Sequence, residues 1–88
     1  MSTDNGITVH YLTWLERELG KSSETVTLPS HVGTVNDMLD HLKGKGGRYE
    51  VFAKKHVIFA DIGGEIVPHS HALKDVRTLS FFSPIVGG

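Results

Sequence analysis

The sequence predicts an α+β fold in which a small mixed sheet packs on one main helix. Three observations predict it: one strongly amphipathic helical pattern, several short β-prone runs around it, and a length that allows a single core. The chain has 88 residues, of which 39% are hydrophobic and 22% are charged. That is enough for one hydrophobic core and too little for two. One helix laid across a sheet is the simplest arrangement that buries these apolar faces.

The chain begins with a polar segment, residues 1–6, which we expect to be a flexible terminus. Apolar and polar side chains then alternate, which predicts a first strand over residues 7–13. Leu15 and Leu19 are spaced four apart and precede Gly20, the pattern of one helical turn ended by glycine. A strand followed at once by a short helix is therefore expected.

The main helix is predicted from Thr34 to Lys43, after a second β-prone run at residues 24–28. Thr34 suits the N-cap position, and Asp37 stands where the acidic residue of a capping box would be. Four apolar residues have the i, i+3, i+4, i+7 spacing of one helix face: Val35, Met38, Leu39 and Leu42. Gly44 ends the pattern, and we read residues 44–56 as a loop without an assigned role.

The remaining strands form a hairpin and a final strand. Residues 57–62 and 65–67 are β-prone and flank Gly63-Gly64, a pair that suits the positive φ angles of a tight turn. A last strand is expected over residues 78–82, with Leu79 and Phe81 facing the core. The predicted order is strand, short helix, strand, main helix and three further strands.

The composition argues against several classes of function. The net charge is −1, and the nine Lys and Arg residues are scattered, so nucleic acid is a poor partner. The apolar runs are far shorter than the roughly 20 residues needed to span a bilayer, and the opening residues lack a signal-peptide pattern. We expect a soluble, cytoplasmic protein. The sequence contains no cysteine, which excludes disulfides, thiolate metal sites and a nucleophilic thiol of its own.

Two of the six histidines raise the possibility of a metal site. His69 and His71 are two residues apart and would share a face if they lay on a strand. A third ligand at a defined spacing is not evident, and the pair lies in a polar stretch. We therefore read them as solvated loop histidines and expect no metal site.

The segment after the last strand is the candidate functional feature. Residues 83–88 read SPIVGG, and Pro84 biases Ser83 towards extended backbone. Six extended residues reach at most about 20 Å, enough to enter a partner's active site. Gly87 and Gly88 would let the backbone pass through a narrow channel and present an unhindered carboxylate. The alternative is that the two glycines are incidental.

Phe82 extends this feature into the last strand. If Phe81 is in the core, Phe82 faces the opposite way, close to Pro84, Ile85 and Val86. An apolar cluster that leads into a tail indicates a docking surface for a partner. The alternative is that both faces of the strand are covered within the domain.

The ending FFSPIVGG, together with this order of elements, resembles the ubiquitin-like family of bacterial sulfur carriers. That family includes the small subunit of molybdopterin synthase and the carrier of the thiamine pathway. The segments ITVHYLTWLERELG and TVNDMLDHL are similar to the family's first strand with its following turn and to its helix. The resemblance implies a ubiquitin-like β-grasp domain over residues 7–82 and an extended tail over 83–88. Ser83 departs from the pattern, which has the first of two prolines there.

The resemblance also implies a cycle of chemistry at the terminus. An adenylating partner would use ATP to activate the Gly88 carboxylate, and a sulfur donor would displace AMP to leave a thiocarboxylate. The large synthase subunit would then accept the tail, and the sulfur would pass to a pterin precursor in molybdenum cofactor biosynthesis. In this scheme the chain is a non-catalytic, sulfur-donating subunit that binds no cofactor, while Phe82, Pro84, Ile85 and Val86 contact its partners.

Other functions remain open at this point. The chain could carry sulfur for thiamine synthesis or tRNA thiolation, or act as a ubiquitin-like protein modifier. From a different class, it could be a ubiquitin-fold interaction domain with an inert tail. An independent enzyme is the weakest class, because no catalytic constellation can be argued from residue spacing.

Overall fold

The computed structural model describes residues 6–84, and its sheet has five strands in the order β2-β1-β5-β3-β4. The strands are β1 (Gly6–Tyr11), β2 (Ser23–Thr27), β3 (Phe59–Ile62), β4 (Glu65–Val67) and β5 (Thr78–Phe82). The helices are α1 (Trp14–Leu19) and α2 (Val35–Lys43). β1 and β5 pair in parallel, and the other strand pairs are antiparallel. The predicted mixed sheet with one main helix is therefore confirmed.

Parts of two predictions lie outside the described residues. These are residues 1–5 of the flexible terminus predicted over 1–6, and residues 85–88 of the tail predicted over 83–88. Gly6, the last residue of the predicted terminus, is the first residue of β1. No helix within residues 6–84 is long and apolar enough to cross a membrane.

Strand β1 follows the predicted alternation, with Ile7, Val9 and Tyr11 buried and the residues between them half-buried. The strand starts one residue earlier than predicted and ends at Tyr11 instead of residue 13. The early end has a physical cause, because the chain turns sharply at Thr13, where φ is +58°. The alternation of apolar and polar residues that predicted the strand continues in the sequence beyond Tyr11, where the backbone leaves the sheet.

Both predicted helices are confirmed, and their ends are set by local chemistry. Gly20 ends α1 in the left-handed conformation, with φ of 76°. At the start of α2, the Thr34 hydroxyl accepts from the Asp37 N–H at 3.1 Å. The Asp37 carboxylate in turn accepts from the N–H groups of Gly33 at 3.0 Å and Thr34 at 3.2 Å. The hydrogen bond from Gly33 makes the largest contribution to lowering the pKa of Asp37, and the bonds to Thr34 lower it further.

The predicted loop over residues 44–56 is more ordered than expected. It contains two 3₁₀ helices, Gly47–Ala53 and Lys55–Val57, which we call the 3₁₀ segment. Phe52 in this segment is fully buried, and its ring centroid lies 6.0 Å from that of Tyr11 and 5.7 Å from that of Phe81. The segment therefore forms one wall of the core.

A cluster of polar side chains holds the 3₁₀ segment to the sheet. The hydroxyls of Tyr11 and Tyr49 both donate to one carboxylate oxygen of Glu24, at 2.6 and 2.8 Å. Lys21 lies 3.3 Å from the other oxygen. Burial acts to raise the pKa of Glu24, but these three hydrogen bonds outweigh it and lower the pKa. Burial, followed by the bond to Glu24, raises the pKa of Tyr11.

The hairpin forms at the predicted turn, and the loop after it packs onto the start of α2. Gly63 and Gly64 have φ of 65° and 89°, as the predicted tight turn between β3 and β4 requires. β3 starts at Phe59, two residues later than predicted, because the second 3₁₀ helix occupies the preceding residues. The loop that follows folds back onto α2, where the carbonyls of His69 and His71 accept from the first N–H groups of the helix.

Candidate functional site

The exit of the chain from the sheet is the centre of the candidate site. β5 lies between β1 and β3, so the chain leaves from a strand held on both sides. Ser83, the first residue after β5, is only 1% exposed, whereas Pro84 is exposed. The tail therefore starts from a rigid position at one end of the sheet. Residues 85–88, including the predicted Gly87 and Gly88, lie outside the described residues.

Phe81 and Phe82 face opposite sides of the sheet, as the sequence predicted. Phe81 is fully buried against Phe52, whereas Phe82 is half-buried. Phe82 pairs with Phe59 across the neighbouring strands, and the two rings stack with centroids 5.6 Å apart. Phe82 thus lies on the sheet face opposite the core, in contact with a second aromatic ring that stays exposed.

A strip of apolar side chains surrounds Phe82 on this outer face. The large exposed hydrophobic residues within 6–84 are Leu12 at 43%, Phe59 at 36% and Ile66 at 61%. Leu12 follows the end of β1 and donates its N–H to the Phe81 carbonyl at 3.0 Å, beside the end of β5. Ile66 pairs with Asp61, which shares the outer face with Phe59. We call Leu12, Phe59, Ile66 and Phe82 the outer strip.

Three members of the outer strip, Leu12, Phe59 and Phe82, lie at the end of the sheet where the tail begins. Ile66 lies farther along the same face, because it pairs with Asp61, which in turn pairs with Ser80. On the β1 side, the face behind Phe82 carries Ser80 and Thr78, which pair with His10 and Thr8. Exposed apolar groups gathered at one place are characteristic of a contact surface for a partner.

Sequence reasoning found Phe82 but missed the other members of the outer strip. Phe59 lies in a continuous apolar run, where alternation cannot be read, and Ile66 lies in a strand of three residues. Leu12 was assigned to the first strand without a partner for its side chain. The signal that could have found them is the pairing of strands, which the sequence does not contain.

On the other side of the exit, an open groove runs between α1 and the 3₁₀ segment. Its walls include Trp14 and Arg17 from α1, Arg48 and Val51 from the 3₁₀ segment, and Pro84 at the start of the tail. The indole N–H of Trp14 is buried, with no acceptor among residues 6–84. The lining also includes Glu18 and Glu50, so a partner on this side would meet apolar groups and charges of both signs.

His69 and His71, which were predicted to be solvated, each contact a backbone carbonyl. A ring nitrogen of His69 lies 2.8 Å from the Ile58 carbonyl, so this half-buried side chain ties the loop to the start of β3. His71 is exposed, and its ring nitrogen lies 2.8 Å from the Ala72 carbonyl. The solvated interpretation therefore holds for His71 and is wrong for His69. Within the described part of the chain, no group of three or more potential ligands is placed to hold a metal ion.

Comparison with models of protein families matches residues 9–88 to the ThiS family. Among solved structures, a candidate molybdopterin converting factor subunit 1 from Pyrococcus furiosus superposes with a TM-score of 0.70 at 21% identity, covering 91% of this chain and 98% of that one. SAMP1 from Haloferax volcanii superposes with a TM-score of 0.67 at 22% identity, covering 94% of this chain and 99% of that one. Comparison with curated proteins gave no significant match.

These likenesses fix the fold and the family. At such identities the two solved structures establish the fold alone, which is the ubiquitin-like β-grasp that the resemblance implied. The family match runs from β1 to Gly88 and so includes the FFSPIVGG ending. The chain belongs to the ThiS family of ubiquitin-like sulfur carriers.

Proposed function

We propose that this chain is the sulfur carrier subunit of molybdopterin synthase and that it donates sulfur from a thiocarboxylate at Gly88 to a pterin precursor. The observation that carries the proposal is the outer strip, which lies where the chain leaves β5 towards its Gly-Gly ending. The likeness to a candidate subunit 1 of molybdopterin converting factor supports the choice of pathway.

The chemistry assigns activation to partners and delivery to this chain. A Gly88 carboxylate oxygen would attack the α-phosphorus of ATP and release pyrophosphate. This step is needed because the acyl carbon of a free carboxylate is a poor electrophile, whereas an acyl-adenylate has AMP as its leaving group. Hydrosulfide released by the sulfur donor would then attack the acyl carbon, AMP would leave, and loss of the remaining proton would give the thiocarboxylate. The thiocarboxylate product is a soft nucleophile held covalently at the partner's site, which removes the entropic cost of bringing free sulfide there.

Docking would use the outer strip. Full burial of a fully exposed Phe or Ile side chain contributes about 1.5–3 kcal/mol. Ile66 is 61% exposed, Phe59 is 36% exposed and Phe82 is half-buried, so each would contribute only the part that its remaining exposed surface allows, Ile66 most. The large synthase subunit and the adenylating enzyme would both need the tail. Both would therefore bind the same end of the sheet, one after the other.

Other members of the same chemical class are the second candidate. A carrier for thiamine synthesis or tRNA thiolation would use the same terminal chemistry, as would a ubiquitin-like modifier that forms an amide with lysine. The match to the ThiS family keeps these functions in consideration. They differ from the first proposal in the acceptor of the sulfur or of the acyl group.

Reconstitution with the large synthase subunit of the same organism tests the choice of pathway. We expect the thiocarboxylated chain to form a stable complex with that subunit and to convert the pterin precursor to its dithiolene product. Transfer of sulfur only to a thiazole-forming enzyme or to tRNA, or conjugation to lysines, would contradict the proposal and favour the corresponding alternative.

A pair of surface variants tests the docking face in the same assay. Ile66→Lys places a charge in the outer strip, opposite Asp61, whereas Thr78→Lys places one on the far end of the same face. Both side chains are exposed and neither lysine lies opposite a like charge, so both variants should fold. We expect Ile66→Lys to weaken the complex by about tenfold or more and Thr78→Lys to leave it unchanged, since removing a charge from water is costly. Equal effects would exclude the outer strip as the docking surface.

A further inference from the structure

Thr13 has a backbone conformation that is normally left to glycine. Its φ is +58° and its ψ is −138°, at the first central position of a tight turn. The Leu15 N–H closes this turn by donating to the Leu12 carbonyl at 3.2 Å. A positive φ at this position favours glycine, and a β-branched residue is the least suited to it. Backbone strain of this kind persists only where the surrounding structure over-determines it.

The side chain of Thr13 supplies a contact that glycine could not make. Its oxygen lies 3.2 Å from the carbonyl oxygen of Ser83 and accepts from the Ser83 N–H in a long bond of 3.4 Å. The carbonyl of Leu12 lies 2.6 Å from the same hydroxyl, so the single proton is shared between two carbonyl acceptors. One hydroxyl thus bridges the end of β1 and both backbone groups of the first residue after β5, 70 positions later in sequence.

This contact continues the pairing of the two central strands beyond their ends. The last backbone bond between them joins the Leu12 N–H to the Phe81 carbonyl at 3.0 Å. Two residues further along, the chain on the β1 side turns away at Thr13, and the Thr13 hydroxyl bridges to the backbone of Ser83. Ser83 is 1% exposed.

We propose that Thr13 is a positioning residue for the transfer chemistry, because its hydroxyl fixes the direction in which the tail leaves the domain. The inference rests on the proposed function of the terminus. Five residues span at most about 17 Å when fully extended, and over that length a change of about 10° in starting direction would move the far end by about 3 Å. A displacement of about 1 Å at a reacting atom can lower a rate a hundredfold.

Three variants of Thr13 separate positioning from stability. Thr13→Ser keeps the hydroxyl, Thr13→Val keeps the shape but loses the hydroxyl, and Thr13→Gly loses the hydroxyl and relieves the strain. Each variant would be measured for melting temperature, for exchange of the Ser83 amide hydrogen by NMR, and for ATP–pyrophosphate exchange with the adenylating enzyme of the same organism. The first two measurements need no partner.

Activity and melting temperature should rank the three variants differently. We expect the Ser83 amide to exchange about tenfold faster in the Val and Gly variants than in the wild type and the Ser variant. The kcat of activation should fall by about tenfold or more in the same two variants. KM should change less than about twofold, since the outer strip is intact. Melting temperature should instead be lowest for Val and at least as high as the wild type for Gly.

Two results would overturn the inference. A Gly variant with the kcat of the wild type would show that activity follows stability and that the hydroxyl positions nothing. An unchanged rate of Ser83 amide exchange in the Val and Gly variants would show that the contact does not hold the chain. A wild-type chain that supports no ATP–pyrophosphate exchange would instead contradict the proposed function, and the positioning role would fall with it.

Discussion

Phe81 and Phe82 are adjacent residues with different environments, because successive side chains of a strand point to opposite faces. Phe81 is fully buried in the core beside Phe52. Phe82 is half-buried and stacks on Phe59 in the outer strip. One ring therefore contributes mainly to folding, and the other remains accessible to a partner.

Alanine substitution should separate these contributions. Phe81→Ala removes a fully buried ring and should lower the free energy of unfolding by about 3–5 kcal/mol. Phe82→Ala loses a stacked, half-buried ring and should lower it by about 1–2 kcal/mol, while weakening partner binding by a larger amount. Urea denaturation and titration with the large subunit would measure the two effects. A stability loss for Phe82→Ala as large as that for Phe81→Ala would place Phe82 in the core.

The sequence predicted this pair but could not predict the turn at Thr13. Alternation is a local property, and it correctly assigned Phe81 and Phe82 to opposite faces. The positive φ of Thr13 occurs together with a hydroxyl contact to Ser83, 70 residues away, which no local pattern reveals. Threonine itself favours extended backbone, so residue type alone extended the first strand too far.

Elements with local signals were predicted well, and those held by distant contacts were not. α2 has its capping box within Thr34 and Asp37, so its start could be read directly. The 3₁₀ segment is held by Tyr49 and Phe52, whose partners Glu24 and Tyr11 lie in the sheet. These contacts are invisible in the sequence, which accounts for the prediction of a loop.

The Glu24 cluster should make stability depend on acid pH. The pKa of Glu24 is lowered in the folded chain, so its contribution is complete above the unfolded pKa of about 4.3 and is lost as the pH falls through the folded pKa. Glu24→Gln removes the titrating group and keeps the shape. We expect the free energy of unfolding to fall less steeply below pH 5 in this variant, measured by urea denaturation at several pH values. Equal slopes would show that the cluster contributes no stability through its charge.

The whole molecule places the candidate site by bringing distant strands together. Leu12, Phe59, Ile66 and Phe82 come from four different strands or their ends, and they share one face of the sheet only because β5 lies between β1 and β3. The order of strands is a global property, so the sequence predicted the tail and Phe82 but not the strip around them. The family resemblance supplied what residue patterns could not, namely the β-grasp fold.

Deletion of Gly88 should abolish sulfur acceptance without changing the stability of the folded domain. The buried hydrophobic residues that form the described core lie between Ile7 and Phe81, so the deletion should change the free energy of unfolding by less than about 0.5 kcal/mol. It shortens the reach of the tail by about 3.3 Å and should abolish sulfur acceptance. Gly88→Ala keeps the length but adds a methyl group beside the carboxylate, so it should retain the stability and accept sulfur more slowly than the wild type, but not lose acceptance as the deletion does. A large fall in melting temperature on deletion would contradict a tail that acts only on partners.

Intact-protein mass spectrometry tests the central claim most directly. The chain would be incubated with the adenylating enzyme of the same organism, ATP and a sulfur donor, and then fragmented to locate any change. We predict replacement of one oxygen by one sulfur at Gly88, dependent on both ATP and the enzyme. An unchanged mass with a chain verified to end at Gly88, or sulfur located at any other residue, would contradict the account.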